Sequence, residues 1–322
     1  MRRKSPDRIS YVASKLGNLW QTVALLSGMG LLMALVGYFL AGALGALWVV
    51  SFGITLILLT PGIDPHMVLR LYRARVMGYS HAPRIHDLLA ILCRRAGLER
   101  PPQLYFLPSY TITAFTVGSR KNPAIALSHG LLHVMGMREL GAILAHEIAH
   151  ITSGDLRLMS MADIASRLTA TLSFAGQILL IINLPLIAAG KATVSWLLII
   201  TLIAAPTVSA LLQLALSRTR EYDADLESLR ISGDPEALAV ALEKIERYQH
   251  SWLERALMPG TKTPYPSLLR THPPTAERIE RILTMAPPDH ISPAVLETER
   301  APFESPFDTI RRPRRNIWGL WY

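Results

Sequence analysis

The sequence predicts a mainly α-helical, polytopic membrane protein, about four spans in two hairpins, carrying an α+β domain with a small β-sheet. Three observations lead there. Half of the 322 residues are hydrophobic and only 18% are charged, below the quarter usual for soluble domains. The apolar excess is gathered into four blocks, 19–40, 43–60, 168–189 and 193–216, none holding an Asp, Glu, Lys, Arg or His. Between the two pairs of blocks lies His146-Glu147-Ile148-Ala149-His150, two imidazoles four residues apart in a run that favours helix.

Residues 1–18 form a basic arm, with Arg2, Arg3, Lys4, Arg8 and Lys15 against Asp7. The first hairpin, 19–61, follows. Each of its blocks is about long enough to cross ~30 Å of hydrocarbon as a helix, and they are joined by little more than Ala41-Gly42. A cleaved signal peptide is the competing reading of this stretch, but its apolar core exceeds the usual ~7–15 residues and a second block follows at once. Residues 62–163 turn polar and Arg-rich. Within them 84–96 reads as an amphipathic helix stopped by Gly97. Short strands are expected at 103–107, 111–118 and 124–127 around a Pro108-Ser109 turn, and the histidine-bearing helix comes next. The second hairpin spans 164–217. Its Pro185 and Pro206 are tolerable in a membrane helix. Residues 218–300 hold an amphipathic helix over 236–249, a Pro-punctuated loop, and a further helix opening near Thr275. Residues 301–322 form a basic tail.

Charge fixes the expected topology. The links inside each hairpin carry only Lys191, whereas the arm, 66–163 and the segment after 217 are rich in Arg. The positive-inside rule places all three on the cytoplasmic side. The net charge of +9 fits an anionic membrane face; no nucleic-acid-binding motif accompanies it, and none is expected as a partner. One cysteine, Cys93, excludes an internal disulfide framework and reads as a small core residue.

His146 and His150 lie one helical turn apart and can share one tetrahedral Zn²⁺. Glu147 lies about a quarter turn away, placed to take a proton from a water that the ion acidifies. A third ligand must return to the same side of the membrane. Glu221, a few residues past the last apolar block, is the natural choice, with Asp225 one turn on to support a histidine; a solvated acidic helix face accounts for that pair equally well on spacing alone. His129 and His133 are also four apart, but lack an acid between them and a third ligand, and read as structural.

Several short motifs occur in order: Thr113-Ala114-Phe115-Thr116-Val117-Gly118, the His-Glu-x-x-His run with Asp155 five residues on, an apolar hairpin, Arg220-Glu221-Tyr222-Asp223-Ala224-Asp225, and Thr271-His272-Pro273-Pro274-Thr275-Ala276-Glu277-Arg278. From about residue 20 to 285 the chain resembles the HtpX-type integral membrane zinc endopeptidases and, more distantly, the CAAX prenyl proteases. The resemblance implies a gluzincin-like α+β protease domain with one zinc per chain, held by His146, His150 and Glu221. It implies Glu147 as general base, Asp225 and Asp155 as supports, and His272 as a late histidine near the site that steadies an oxyanion. It also implies a strand through Thr113, Ala114 and Phe115 that pairs with an extended substrate, with Arg278 nearby. Thr113 departs from the family's usual Asn, which puts any substrate contact by that side chain in doubt. The implied role is hydrolysis of damaged or misfolded membrane proteins at the cytosolic face of the inner (cell) membrane, in protein quality control and the stress response. Two rivals stand beside it: a catalytically silent zinc-binding scaffold, and a protease of prenylated C-termini.

Overall fold

A computed structural model describes residues 8–59, 65–191, 193–257 and 274–285. The 301–322 tail lies outside them. The chain runs α1 (Arg8–Leu59), α2 (Pro65–Leu71), β1 (Arg75–Val76), α3 (Pro83–Ala96), β2 (Gln103–Leu107), β3 (Ala114–Ser119), β4 (Asn122–Ser128), α4 (His129–Val134), α5 (Met137–Ser153), α6 (Asp155–Ala188), α7 (Trp196–Ser232), α8 (Pro235–Leu257) and α9 (Thr275–Thr284).

Three helices, α1, α6 and α7, are long and apolar enough to cross a membrane. The first is two segments. Ala41 and Gly42 leave helical geometry, Gly42 at φ 66°, where an L side chain is disfavoured. A Cβ on Gly37 would lie 2.8 Å from the Gly45 carbonyl oxygen, whereas eight residues of straight helix would separate the two by about 12 Å. The chain therefore doubles back at the position where the two apolar blocks meet, giving four apolar segments. The first of them packs on α6 and α7 through Met29 with Ala162 and Leu216, and through Val36 with Leu202 and Ala205; in the second, a Cβ on Gly53 would meet Met33 and Leu168. Gln177 donates to the Leu202 carbonyl at 2.7 Å, tying α6 to α7. Outward, large apolar side chains such as Leu44 and Trp48 stand open, as a lipid-facing surface would have them.

α6 and α7 run well past the apolar blocks that predicted them. No Gly or Pro interrupts 207–232, so α7 continues to Gly233, which ends it in the left-handed conformation at φ 73°. The helix that leaves the bundle therefore carries Glu221 and Asp225 itself. The basic arm enters on the same side, where Lys15 pairs with Glu227 at 2.9 Å.

The four-stranded sheet has the order β1-β2-β4-β3, with β2 and β4 parallel and the other pairs antiparallel. One face packs against α3 and α5 through Leu104, Phe106, Ile125 and Leu127, and Cys93 is buried in that core. The other face is covered by α2, whose Leu69 meets Tyr105, Leu107 and Ala126. β2 and the end of α3 lie where the sequence predicts. β3 starts at Ala114, leaving Thr113 just before it. β1, α2 and α4 are too short to register as periodic patterns.

Candidate metal centre

Helix α5 is built to present its histidines. Glu139 accepts from the Gly136 N–H at 3.0 Å at its start, Leu140, Leu144 and Ile148 anchor the core face, and Gly154 closes it at φ 73°. His146 and His150 bring their Nε2 atoms to 3.2 Å. From α7, Glu221 places Oε2 3.6 Å from His146 Nε2 and Oε1 3.8 Å from His150 Nε2. Ligand atoms about 2.0–2.2 Å from one tetrahedral ion are about 3.3–3.6 Å apart, so these three donors fit a zinc-sized ion with little movement. They are the one such group among the described residues.

Each histidine has its own support. The left-handed turn at Gly154 starts α6 so that Asp155 faces back, and its Oδ2 lies 2.8 Å from His150 Nδ1. Asp155 is held in turn by Arg220 Nε at 2.5 Å, and Arg220 also reaches Asp223 at 2.7 Å. On the other side Asp225 Oδ1 stands 3.2 Å from His146 Nδ1, close but not aligned as a hydrogen bond, so that buried nitrogen has no aligned partner. Arg278, from α9, grips Asp225 with two bonds of 2.8 and 2.6 Å and reaches Glu221 Oε2 at 3.1 Å. All these acids and arginines are buried. Burial by itself would lower the pKa of His146, but the carboxylates of Asp225 and Glu221 outweigh it and push it up to about 10. Burial likewise opposes charge on Arg278, and Asp225 and Glu221 overcome it, so its pKa is raised.

Glu147 is 8% exposed. Its Oε2 accepts from Thr116 Oγ1 at 2.6 Å, a contact the sequence reading does not contain. The signal was present, because strand alternation puts Thr116 on the same face as Ala114. Arg220 also escaped, since an arginine amid acids reads as a solvated helix face.

β3 is an edge strand. The Ser128 N–H donates to the Thr113 carbonyl at 3.1 Å, which makes Thr113 and Ser128 a hydrogen-bonded pair. Such pairs alternate with non-bonded ones in an antiparallel ladder. Through the register, Ala114, Thr116 and Gly118 therefore turn their N–H and C=O groups away from β4. Thr113 itself is tied to Ser128, whose Oγ accepts from its N–H at 3.1 Å. Phe115 points to the α2 face, its ring 5.3 Å from that of Tyr72. Arg278 is turned inward at 6% exposure. His272 lies outside the described residues. His129 and His133 stack on one another at 6.1 Å, with Phe106 and Tyr110 edge-on to His129.

The model of peptidase family M48 matches residues 80–286, a stretch holding the donor triad, its supports and the edge strand. The chain belongs to peptidase family M48. This M48 chain is 33% identical over 287 residues to the protease HtpX homolog of Persephonella marina, with 83% of this chain and 96% of that protein covered. It is 32% identical over 284 residues to the protease HtpX homolog of Pyrococcus abyssi, with the same shares covered. Among solved structures it is similar to Ste24p of S. mikatae, at 17% identity and a TM-score of 0.43, covering 84% of this chain and 66% of that one. Family and helices together make it a multi-pass membrane protein of a metalloprotease family.

Proposed function

We propose that this M48 peptidase is a zinc endopeptidase that cleaves extended segments of damaged or misfolded membrane proteins on the cytosolic side of the cell membrane. The observation that carries the reading is the juxtaposition of a tetrahedral-sized His146, His150 and Glu221 donor set with a buried acid, Glu147, and an open strand edge. His146, His150 and Glu221 would hold the ion, and Asp155 and Asp225, each backed by an arginine, would fix the two rings. Bound there, zinc would supply a Lewis acid for the scissile carbonyl and lower the pKa of the attacking water.

The chain's own part can be followed residue by residue. The outward N–H and C=O groups of Ala114 and Thr116 pair with the substrate backbone as an added strand. Glu147 takes the proton of the attacking water and passes it to the leaving amine. Thr116 holds one carboxylate oxygen of Glu147, which limits the rotamers that the base visits. Arg278 keeps Glu221 and Asp225 ordered and so acts through them. His272 is the candidate to steady the developing oxyanion. Residues 62–163 and 218–300 form the two halves of the protease domain, joined through the hairpin 164–217, and the hairpin 19–61 leads into the first half. The basic arm and Arg-rich segments support a cytoplasmic side for that domain by the positive-inside rule.

The test is the full chain in detergent with zinc counted, given an unfolded model protein. Wild type is expected to cut. Glu147→Gln is expected to bind one zinc and cut at least about a hundredfold more slowly. Equal cutting by both would remove Glu147 from the mechanism, and full zinc without cutting in either would favour a scaffold.

A further inference from the structure

The two faces of β3 differ in kind. Ala114 packs against the core below α5 and Thr116 touches Glu147, so that face looks at the chemistry. Phe115 and Val117 belong to the cluster on the opposite face, under α2. There the Phe115 ring meets Tyr72 at 5.3 Å and 53°, and Tyr72 is 54% exposed even so. An aromatic pair left this open beside a strand edge that is unpaired among the described residues has room for a third apolar group.

A peptide added to the edge must alternate as β3 does. Side chains beside Ala114 and Thr116 fall toward Glu147 and the donor triad. The one across from Phe115 falls on the other face, its Cβ about 4.5–5.5 Å from that of Phe115. Cross-strand aromatic contacts at that distance are favourable, and a polar side chain there would lose water without finding a partner. We propose that Phe115, backed by Tyr72, is a specificity-determining wall that selects extended segments bearing a large apolar or aromatic side chain across from it, one residue out of phase with the side chains facing Glu147. The proposal rests on the peptidase reading above. It defines the substrate class as apolar, β-prone segments of the sort that a folded protein keeps buried.

Zinc-loaded Glu147→Gln protein in detergent, which holds peptides without consuming them, is titrated with two labelled peptides of equal charge. One carries Phe at every second position, and its counterpart carries Ser there. The Phe peptide is expected to bind about tenfold tighter. Adding Phe115→Ala should shrink that gap to about twofold, and Tyr72→Ser should shrink it part-way. Partition into detergent is common to all variants, so the change in the gap is what is read. Should Phe115→Ala fail to bind zinc, Phe115→Leu keeps an apolar packing group and is expected to move the preference from aromatic toward branched aliphatic residues. A gap that Phe115 substitutions leave unchanged overturns the proposal, as does the absence of any gap in the parent protein. Cleavage of the same peptides by the wild-type chain separates the two readings. Preference without cleavage sinks the peptidase and spares the wall; cleavage with an unaltered ratio in the Phe115 variant does the reverse.

Discussion

The supports behind His150 and His146 use the same parts, an aspartate and an arginine, and are built differently. Asp155 makes an aligned 2.8 Å contact with His150, and its arginine, Arg220, has a second acid in Asp223 one turn away. Asp225 stands off from His146 at 3.2 Å, and its arginine comes from α9, 53 residues along the chain. Arg278 has Glu221, a proposed metal ligand, as its other acid. The His150 side is complete once α5, α6 and α7 meet, and neither of Arg220's acids is a proposed metal ligand. The His146 side waits for α9 to dock and shares its cation with the donor set. One support is therefore a fixture and the other is coupled to the ion.

That asymmetry predicts unequal costs. Asp225→Ala would leave Arg278 buried with only Glu221 to answer it, drawing a ligand toward the guanidinium. Removing one partner of a buried pair costs about 3–5 kcal/mol, so thermal melting with chelator present should show the largest loss of any substitution in the site. Asp155→Ala leaves Arg220 its pair with Asp223, and the expected loss of stability is smaller, about 1.5–3 kcal/mol for one charged hydrogen bond. Its main effect should appear in metal affinity, weakened about 10- to 100-fold because the aligned support of a ligand is gone. Equal melting losses in the two variants would mean that the supports are equivalent after all.

Titration sharpens the same contrast. His146 without metal holds its proton up to about pH 10, because Asp225 and Glu221 outweigh the burial that opposes it. Its folded pKa lies above the ordinary ~6.5. The stabilisation it contributes to the metal-free protein is therefore full below about 6.5 and is lost as pH rises toward about 10. Zinc must displace that proton, so apparent affinity should rise about tenfold per unit between pH 7 and 9, and chelator competition across that range would reveal it. Asp225→Asn removes one of the carboxylates and should flatten the slope. A flat wild-type profile would break the link between His146 and its acids.

Much of this was legible in the sequence, for reasons that separate cleanly. His146 and His150 could be read because ligand geometry demands residue types at fixed helical spacing; Glu221 needed the return to one side of the membrane and the family resemblance as well, since spacing alone fits a solvated acidic face equally. The reversal at Ala41-Gly42 could be read because two uncharged blocks met at a residue free to take φ above zero. Sequence marks the apolar block only to 216, whereas α7 runs to Ser232, because hydropathy marks where lipid ends and the backbone continues until something breaks it. The two-residue β1 exists only through its pairing with β2, and no local pattern announces it. Arg220 looks like solvated surface in sequence, and Arg278 enters only through the resemblance, beside the substrate strand; the work of both depends on which carboxylates the fold carries to them.

Thr116 is the last such case and gives the smallest expected effect. Its hydroxyl holds Glu147 Oε2 at 2.6 Å from across the strand–helix interface. Thr116→Val keeps the β-branched shape on β3 and deletes only the donor. One hydrogen bond to a charged group is worth about 1.5–3 kcal/mol, but solvent can replace part of it at a half-buried position, so the turnover rate should fall about tenfold. Zinc content and its pH slope should stay as in wild type, which sets this variant apart from every change in the two supports. Thr116→Ser restores the hydroxyl and should recover most of the rate. If the valine variant turns over normally, Glu147 is held by the helix alone and the strand contributes substrate pairing only. If the serine variant is as slow as valine, the β-methyl packing of Thr116, and not its hydroxyl, sets the base.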